Sequence, residues 1–161
     1  MKVLLKIIYR SINAFYSVCF KSKLLFYKII FSHVNWGRGI KFYGFPLFRL
    51  TGQVRFGDNL VFTNSTKYNM VGINRPCSVF VERGATLQIG KNTGFSGVSI
   101  YCANSIIIGN YCNFGGNTSI WDTDFHPLDY IERRNNSDNI ISRPIVIGDD
   151  VFVGANTIIL K

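Results

Sequence analysis

No aspartate or glutamate occurs before Asp58, although the chain has 161 residues and nine acidic side chains. Ten of the 18 Lys and Arg precede that position, so the net charge of +9 lies in the first third of the chain. Charge of one sign in one segment points to an anionic partner, either a membrane or a nucleic acid. Histidine is nearly as scarce, with only His33 and His126. That excludes a site built on several His ligands. The four cysteines, Cys19, Cys77, Cys102 and Cys112, form no CxxC pair and no zinc-ligand spacing. They read as reduced, mostly buried thiols of a cytoplasmic, metal-free protein. Proline is also scarce, with four residues, whereas Gly (15) and Phe (14) are abundant. That composition suits strands and turns better than a helix bundle. Apolar residues at 47% exclude disorder.

The basic first segment, residues 1–31, reads as an amphipathic helix. Over 2–21, Lys2, Lys6, Arg10, Asn13, Ser17 and Lys21 recur at spacings of three or four, among Val3, Leu4, Leu5, Ile7, Ile8 and other apolar residues. Lys23 and Lys28 continue the basic pattern. The longest uncharged run in the segment, 11–20, is short of the roughly 20 residues a bilayer span needs. Lys6 and Arg10 interrupt any signal-peptide core. Two compatible roles follow: a helix lying in a membrane interface, or one that caps the open end of the domain. The stretch is amphipathic rather than mixed basic and polar, so nucleic acid is not the expected partner.

The remainder, 32–161, is a repeat. Four segments open with an apolar residue and Gly: FGDNLVFT at 56, IGKNTGFS at 89, IGNYCNFG at 108 and IGDDVFVG at 147. Four residues on sit Leu60, Thr93, Cys112 and Val151; six residues on sit Phe62, Phe95, Phe114 and Val153. A period of six fits neither a strand nor an α-helix. It fits a triangular coil of about 18 residues with one inward side chain per face. Gly at each corner would permit a tight turn. The pattern lapses over 64–80 and again over 122–144. The second lapse reads as a long excursion between coils.

These residues resemble the hexapeptide-repeat acyltransferases over roughly 54–161. The stretches SIWDTDFHPLDY and RPIVIGDDVFVGANTIILK are similar to the sugar and antibiotic O-acetyltransferases of that family, in which a His-Pro loop precedes a coil like the second stretch. The basic, aromatic N-terminal part looks like that of polysaccharide-biosynthesis acetyltransferases. The resemblance implies an all-β, left-handed parallel β-helix that takes acetyl-CoA as acyl donor and a sugar or polysaccharide as acceptor. It also implies a homotrimer whose His loop reaches a neighbouring subunit.

His126 lies in DTDFHPLD on the excursion. An alcohol is a poor nucleophile until its proton leaves, and imidazole titrates near neutrality. Pro127 restricts the His126 backbone to extended conformations. Asp124 and Asp122 are both candidates to orient the ring. Gly115, Gly116, Gly154 and Ala155 are small enough to let a pantetheine arm lie against the backbone. By resemblance the Ala155 amide stabilises the oxyanion, while Phe152 walls the acceptor site and Trp121 adds to it. His33 has no acidic neighbour and reads as structural. Ser96 and Gly97 stand where some relatives place an acceptor-binding Asn. The chain also stops in mid-pattern at Lys161, so further coils, and a complete CoA groove, are expected beyond it. Other readings of the same residues are an amino-sugar N-acetyltransferase and a non-catalytic scaffold or membrane adaptor. Peripheral contact at the inner face of the membrane is the expectation for residues 1–31.

Overall fold

The computed structural model describes residues 18–135 and 139–161. Fifteen strands of two to four residues form three parallel five-stranded sheets, one on each side of a triangular coil. The first sheet stacks β1 (Asn35–Trp36), β4 (Gln53–Phe56), β7 (Thr86–Ile89), β10 (Ser105–Ile108) and β13 (Ile145–Ile147). The second stacks β2 (Lys41–Tyr43), β5 (Val61–Thr63), β8 (Gly94–Ser96), β11 (Asn113–Phe114) and β14 (Phe152–Val153). The third stacks β3 (Leu47–Leu50), β6 (Ser78–Val81), β9 (Ser99–Cys102), β12 (Ser119–Trp121) and β15 (Ile158–Leu160). Consecutive strands therefore visit the three sheets in turn. The protein is a left-handed parallel β-helix.

The register follows the six-residue pattern. Phe56 pairs with Ile89, Ile89 with Ile108 and Ile108 with Ile147 in the first sheet. Phe62, Phe95, Phe114 and Val153 pair in series in the second. All eight are buried, and Leu60, Thr93 and Cys112 fill the corner between them. The Phe rings continue through the core, with Phe62–Phe95 and Phe95–Phe114 centroids each 5.1 Å apart and the rings stacked. Each inner rung is paired with the rungs before and after it in all three sheets, and the axial stack adds buried apolar surface to that pairing. Each buried ring is worth roughly 1.5–3 kcal/mol.

Within 32–161 the structure shows a coil before the four segments and corrects two expectations. Trp36 pairs with Phe56 and Phe42 with Phe62, so a first turn opens at Trp36-Gly37. Ile40 and Phe42, four and six residues after Trp36, are buried like their counterparts in the later coils. The lapse over 64–80 is shorter than expected, because Ser78–Val81 forms the regular strand β6. The corner glycines also have a different cause. Gly57, Gly90, Gly109 and Gly148 do not adopt left-handed backbone. Gly57, Gly90 and Gly109 are glycine because the next coil touches them there: a Cβ on Gly57 would lie 2.6 Å from the Gly90 carbonyl carbon, and one on Gly109 would lie 2.6 Å from that of Gly148, whereas a Cβ on Gly148 would meet nothing within 4 Å. The left-handed turn falls two residues later, at Gly39, Asn59, Asn92, Tyr111 and Asp150, with φ between 57° and 69°. Asn and Asp tolerate that region because their short polar side chains bond locally.

Residues 18–30 are helical (α1). The helical segment predicted over 1–31 falls partly on residues 1–17, outside the described residues, and α1 lies within its remainder. Leu24, Tyr27 and Phe31, at helical spacing, pack on the first coil. The Tyr27 hydroxyl donates to the Pro46 carbonyl at 2.7 Å, and its ring lies against Phe42 and Phe48. The helix thus seals the end of the apolar column. His33 supports the same end by donating from Nε2 to the Leu50 carbonyl at 2.7 Å. Cys77, Cys102 and Cys112 are buried and Cys19 half-buried, all as free thiols.

Candidate functional site

Two excursions break the coil. Residues 64–77 leave between the second and third sheets, and residues 122–144 between the third and first. The first excursion folds back along its corner. Arg75 donates to the carbonyls of Gly97 (3.2 Å) and Asn117 (2.7 Å) and to Ser119 Oγ (2.8 Å). Asn117 returns the contact, donating to the Gly72 carbonyl and accepting from the Asn74 amide. Ile73 is buried in the middle of the loop. The loop is therefore a fixed wall beside the second sheet.

Between this wall and the sheet lies a groove of about 640 Å³. Gly94, Asn113 and Gly115 supply its floor, Asn69 and Val71 one side, and Phe152 and Ala155 the other. Phe152 projects from β14 with 78% of its surface exposed. Gly115 has no room for a side chain, since a Cβ would meet the Ala155 nitrogen at 2.6 Å. A Cβ on Gly116 would meet Ile73 and Val71 at 3.2 and 3.4 Å, so part of its smallness serves the loop. Gly154 adjoins the groove without lining it, and its carbonyl accepts from Thr118 and Thr157. Among the described residues the exposed Ala155 N–H has no hydrogen-bond partner. The sequence reading missed Asn69, which donates to Ser96 Oγ at 3.0 Å and so brings a carboxamide over the position where no Asn was found. The signal was present as the length of the 64–77 lapse, equal in kind to the excursion that carries His126.

The second excursion is anchored at its base. Thr123 bridges Ser142, and the Asp124 amide donates to the Ile141 carbonyl at 3.1 Å. Asp129 caps α2 (Tyr130–Arg134), accepting from the amides of Ile131 and Glu132, and Arg133 donates back to the Pro127 carbonyl at 2.8 Å. Phe125 has φ +62°, a conformation unfavourable for an aromatic residue, and its ring is held edge-on against Tyr101 (4.7 Å) and Trp121 (5.5 Å). Tyr101 is fixed in turn by donating to Glu82 at 2.7 Å; burial and this acceptor push its phenol up to about 12. Between the strained Phe125 and the buried Pro127, His126 is exposed and has no hydrogen-bond or ionic partner among the described residues.

The two aspartates do not reach the ring within one protomer. Asp122 is fully buried, and its carboxylate oxygens accept from the amides of Ala103 (2.6 Å) and Asn104 (2.8 Å). That holds the turn of the preceding coil and points the carboxylate inward, away from the exposed His126. Asp124 pairs with Lys161 at 2.9 Å, and both side chains are only 14% exposed. Its second oxygen, Oδ2, is buried without a partner. Trp121 belongs to the anchor under Phe125 and not to the groove. The excursion leaves at the one corner that does not border the second sheet. The groove and His126 are thus on separate parts of the same coil.

Among the described residues no three His, Cys, Asp or Glu side chains come together as a metal site. Compared with known proteins, the chain matches no family model, no curated protein and no solved structure.

Proposed function

We propose that the protein is an acetyl-CoA-dependent O-acetyltransferase of the hexapeptide-repeat class, acting on a sugar or polysaccharide intermediate. One observation carries this reading: Gly115, Gly116, Phe152 and Ala155 meet at a single groove whose rim presents an unpaired backbone N–H. A glycine floor suits a thin chain such as pantetheine, which pairs with main-chain groups where side chains are absent. His126 takes the proton from the acceptor hydroxyl as its oxygen attacks the thioester carbonyl. The Ala155 N–H donates to the resulting oxyanion. Collapse of that intermediate forms the ester and expels the CoA thiolate, which takes up the proton held by the imidazole.

His126 and the groove face different ways in one protomer, so the working site is assembled between copies. A closed three-fold ring gives each groove one His loop. Asp124 acts through the loop, because its Lys161 pair and its bond to Ile141 fix the segment two residues before His126.

The test is CoA release against a panel of sugars, with His126→Asn beside the wild type. The variant is expected to lose about 10²–10⁴-fold in kcat with little change in acetyl-CoA binding. Asp124→Asn is expected to lose less. Light scattering is expected to give a trimer. Near-normal kcat in His126→Asn overturns the assignment of the base, and a monomer at micromolar concentration overturns the shared site.

A further inference from the structure

The helix α1 has a second face that sealing the coil does not use. Phe20, Leu24, Tyr27 and Phe31 point at the first coil. On the opposite side Val18, Leu25, Phe26, Ile29 and Ile30 are exposed, by 51–70% of their surface. At about 100° per residue these five form one apolar face. Lys21 and Lys28 lie along one border of that face, and Lys23 along the other. Lys23 is anchored there, donating to the Phe42 and Gly44 carbonyls, with its ammonium 4.6 Å from the Phe45 ring. Phe45 is itself 58% exposed, so it extends the apolar surface past the helix.

An apolar face this large, bordered by lysines, is unusual on a surface that meets only water. The charge around it has one sign, since no acidic residue occurs before Asp58. We infer that the exposed face of α1 docks on an anionic lipid bilayer, with Leu25, Phe26, Ile29 and Ile30 entering the acyl boundary and Lys21, Lys23 and Lys28 at the level of the phosphates. Lysine suits that border because its stem lies along apolar surface while its ammonium reaches the headgroups. No described helix is long and apolar enough to cross a membrane. The described face lies on the side of α1 opposite the coil, so docking there points the coil away from the bilayer. This inference does not depend on the acetyltransferase reading.

The test uses the full chain and phosphatidylcholine vesicles, with and without phosphatidylglycerol, in a sedimentation assay at low and high salt. Two variants probe the described face: Lys21→Gln with Lys28→Gln, and Phe26→Ser with Ile29→Ser. The altered side chains are exposed, so thermal melting is expected to match the wild type and show that each variant is folded. Wild type is expected to bind the anionic vesicles and to lose binding in high salt. Each double variant is expected to bind about tenfold more weakly or less. Equal binding to neutral vesicles overturns the inference. So does unchanged binding by both variants, which assigns the contact to residues 1–17. Absence of vesicle binding with self-association lost in Phe26→Ser/Ile29→Ser assigns the face to a second copy and overturns it too.

Discussion

Replacing Tyr111 by asparagine is expected to make the protein more stable, although it removes an aromatic ring. Tyr111 occupies the left-handed turn of the fourth coil with φ 58°. The equivalent positions in the other coils are Gly39, Asn59, Asn92 and Asp150, all residues that accept this conformation. For a side chain with an ordinary Cβ the left-handed region costs roughly 1–2 kcal/mol. Little offsets that cost. The ring is half exposed, and its one charged neighbour, the Lys91 ammonium 5.7 Å away, contributes about 0.5 kcal/mol at an exposed site. Asparagine would also extend a side-chain ladder that already links Asn59 to Asn92 at 3.0 Å. The net gain is about 0.5–1 kcal/mol, or a rise in Tm of about 1–4 °C for a chain of this size. Thermal unfolding followed by circular dichroism measures it. Tyr111→Phe should leave Tm unchanged, and Tyr111→Ala, which keeps the strain and loses the ring, should lower it. If Tyr111→Asn melts at or below the wild type while Tyr111→Ala matches it, the turn stores no strain.

Asp122→Ala should destabilise the protein by about 3 kcal/mol in denaturant titration, because two buried amides, of Ala103 and Asn104, lose a charged acceptor; a loss confined to catalysis would contradict the structural role given to this carboxylate. Phe95→Ala should cost about 3–5 kcal/mol, since Phe95 is buried between the rings of Phe62 and Phe114 and its loss empties the middle of the stack; a cost under 1 kcal/mol would mean that the column collapses to fill the gap. Burial pushes the Cys77 thiol up to about 11, and burial together with the Asp122 charge pushes Cys102 up to about 12, against an ordinary value of 9. Above pH 9 the unfolded chain releases these protons and the folded protein does not, so stability should fall from pH 9 up to about 12; in Cys77→Ser/Cys102→Ser that part of the pH dependence should vanish. At neutral pH, iodoacetamide should label the native protein at Cys19 alone, and rapid labelling of Cys77 would show that the coil opens.

The repeat was legible because inward positions recur at fixed register. Ile89, Ile108 and Ile147 could be aligned from the letters alone, and each pairs with the next in the first sheet. The first coil carries the same letters, Trp36-Gly37 with Ile40 and Phe42 four and six residues after Trp36, but has Gly39 at the left-handed turn where the next two coils have Asn59 and Asn92. The cause of the corner glycines was hidden. Backbone freedom and close approach select the same residue, and only the distance between coils tells them apart. For the site, small residues in the coil marked the groove, since Gly115, Gly116, Phe152 and Ala155 converge there. Its opposite wall comes from 64–77, a segment without periodicity whose position is set by Arg75 and Ile73 contacts far away in sequence. Proximity in the chain misled for Asp122: four residues from His126, it turns inward to hold amides of the preceding coil.

The corner between the first and second sheets has one further property. It is spanned by residues 37–40, 57–60, 90–93, 109–112 and 148–151, four residues in every coil, while both other corners vary and carry the long excursions. The touching glycines make it a ruler: one extra residue there would have no space between coils, and it would advance the strand that follows by one position. Because side chains alternate in and out along a strand, that shift would turn Phe62 or Phe95 to solvent and bring its neighbours into the column. New loops, tags or grafted binding segments therefore belong at the two variable corners. There added length bulges outward and leaves the phase of every later rung untouched.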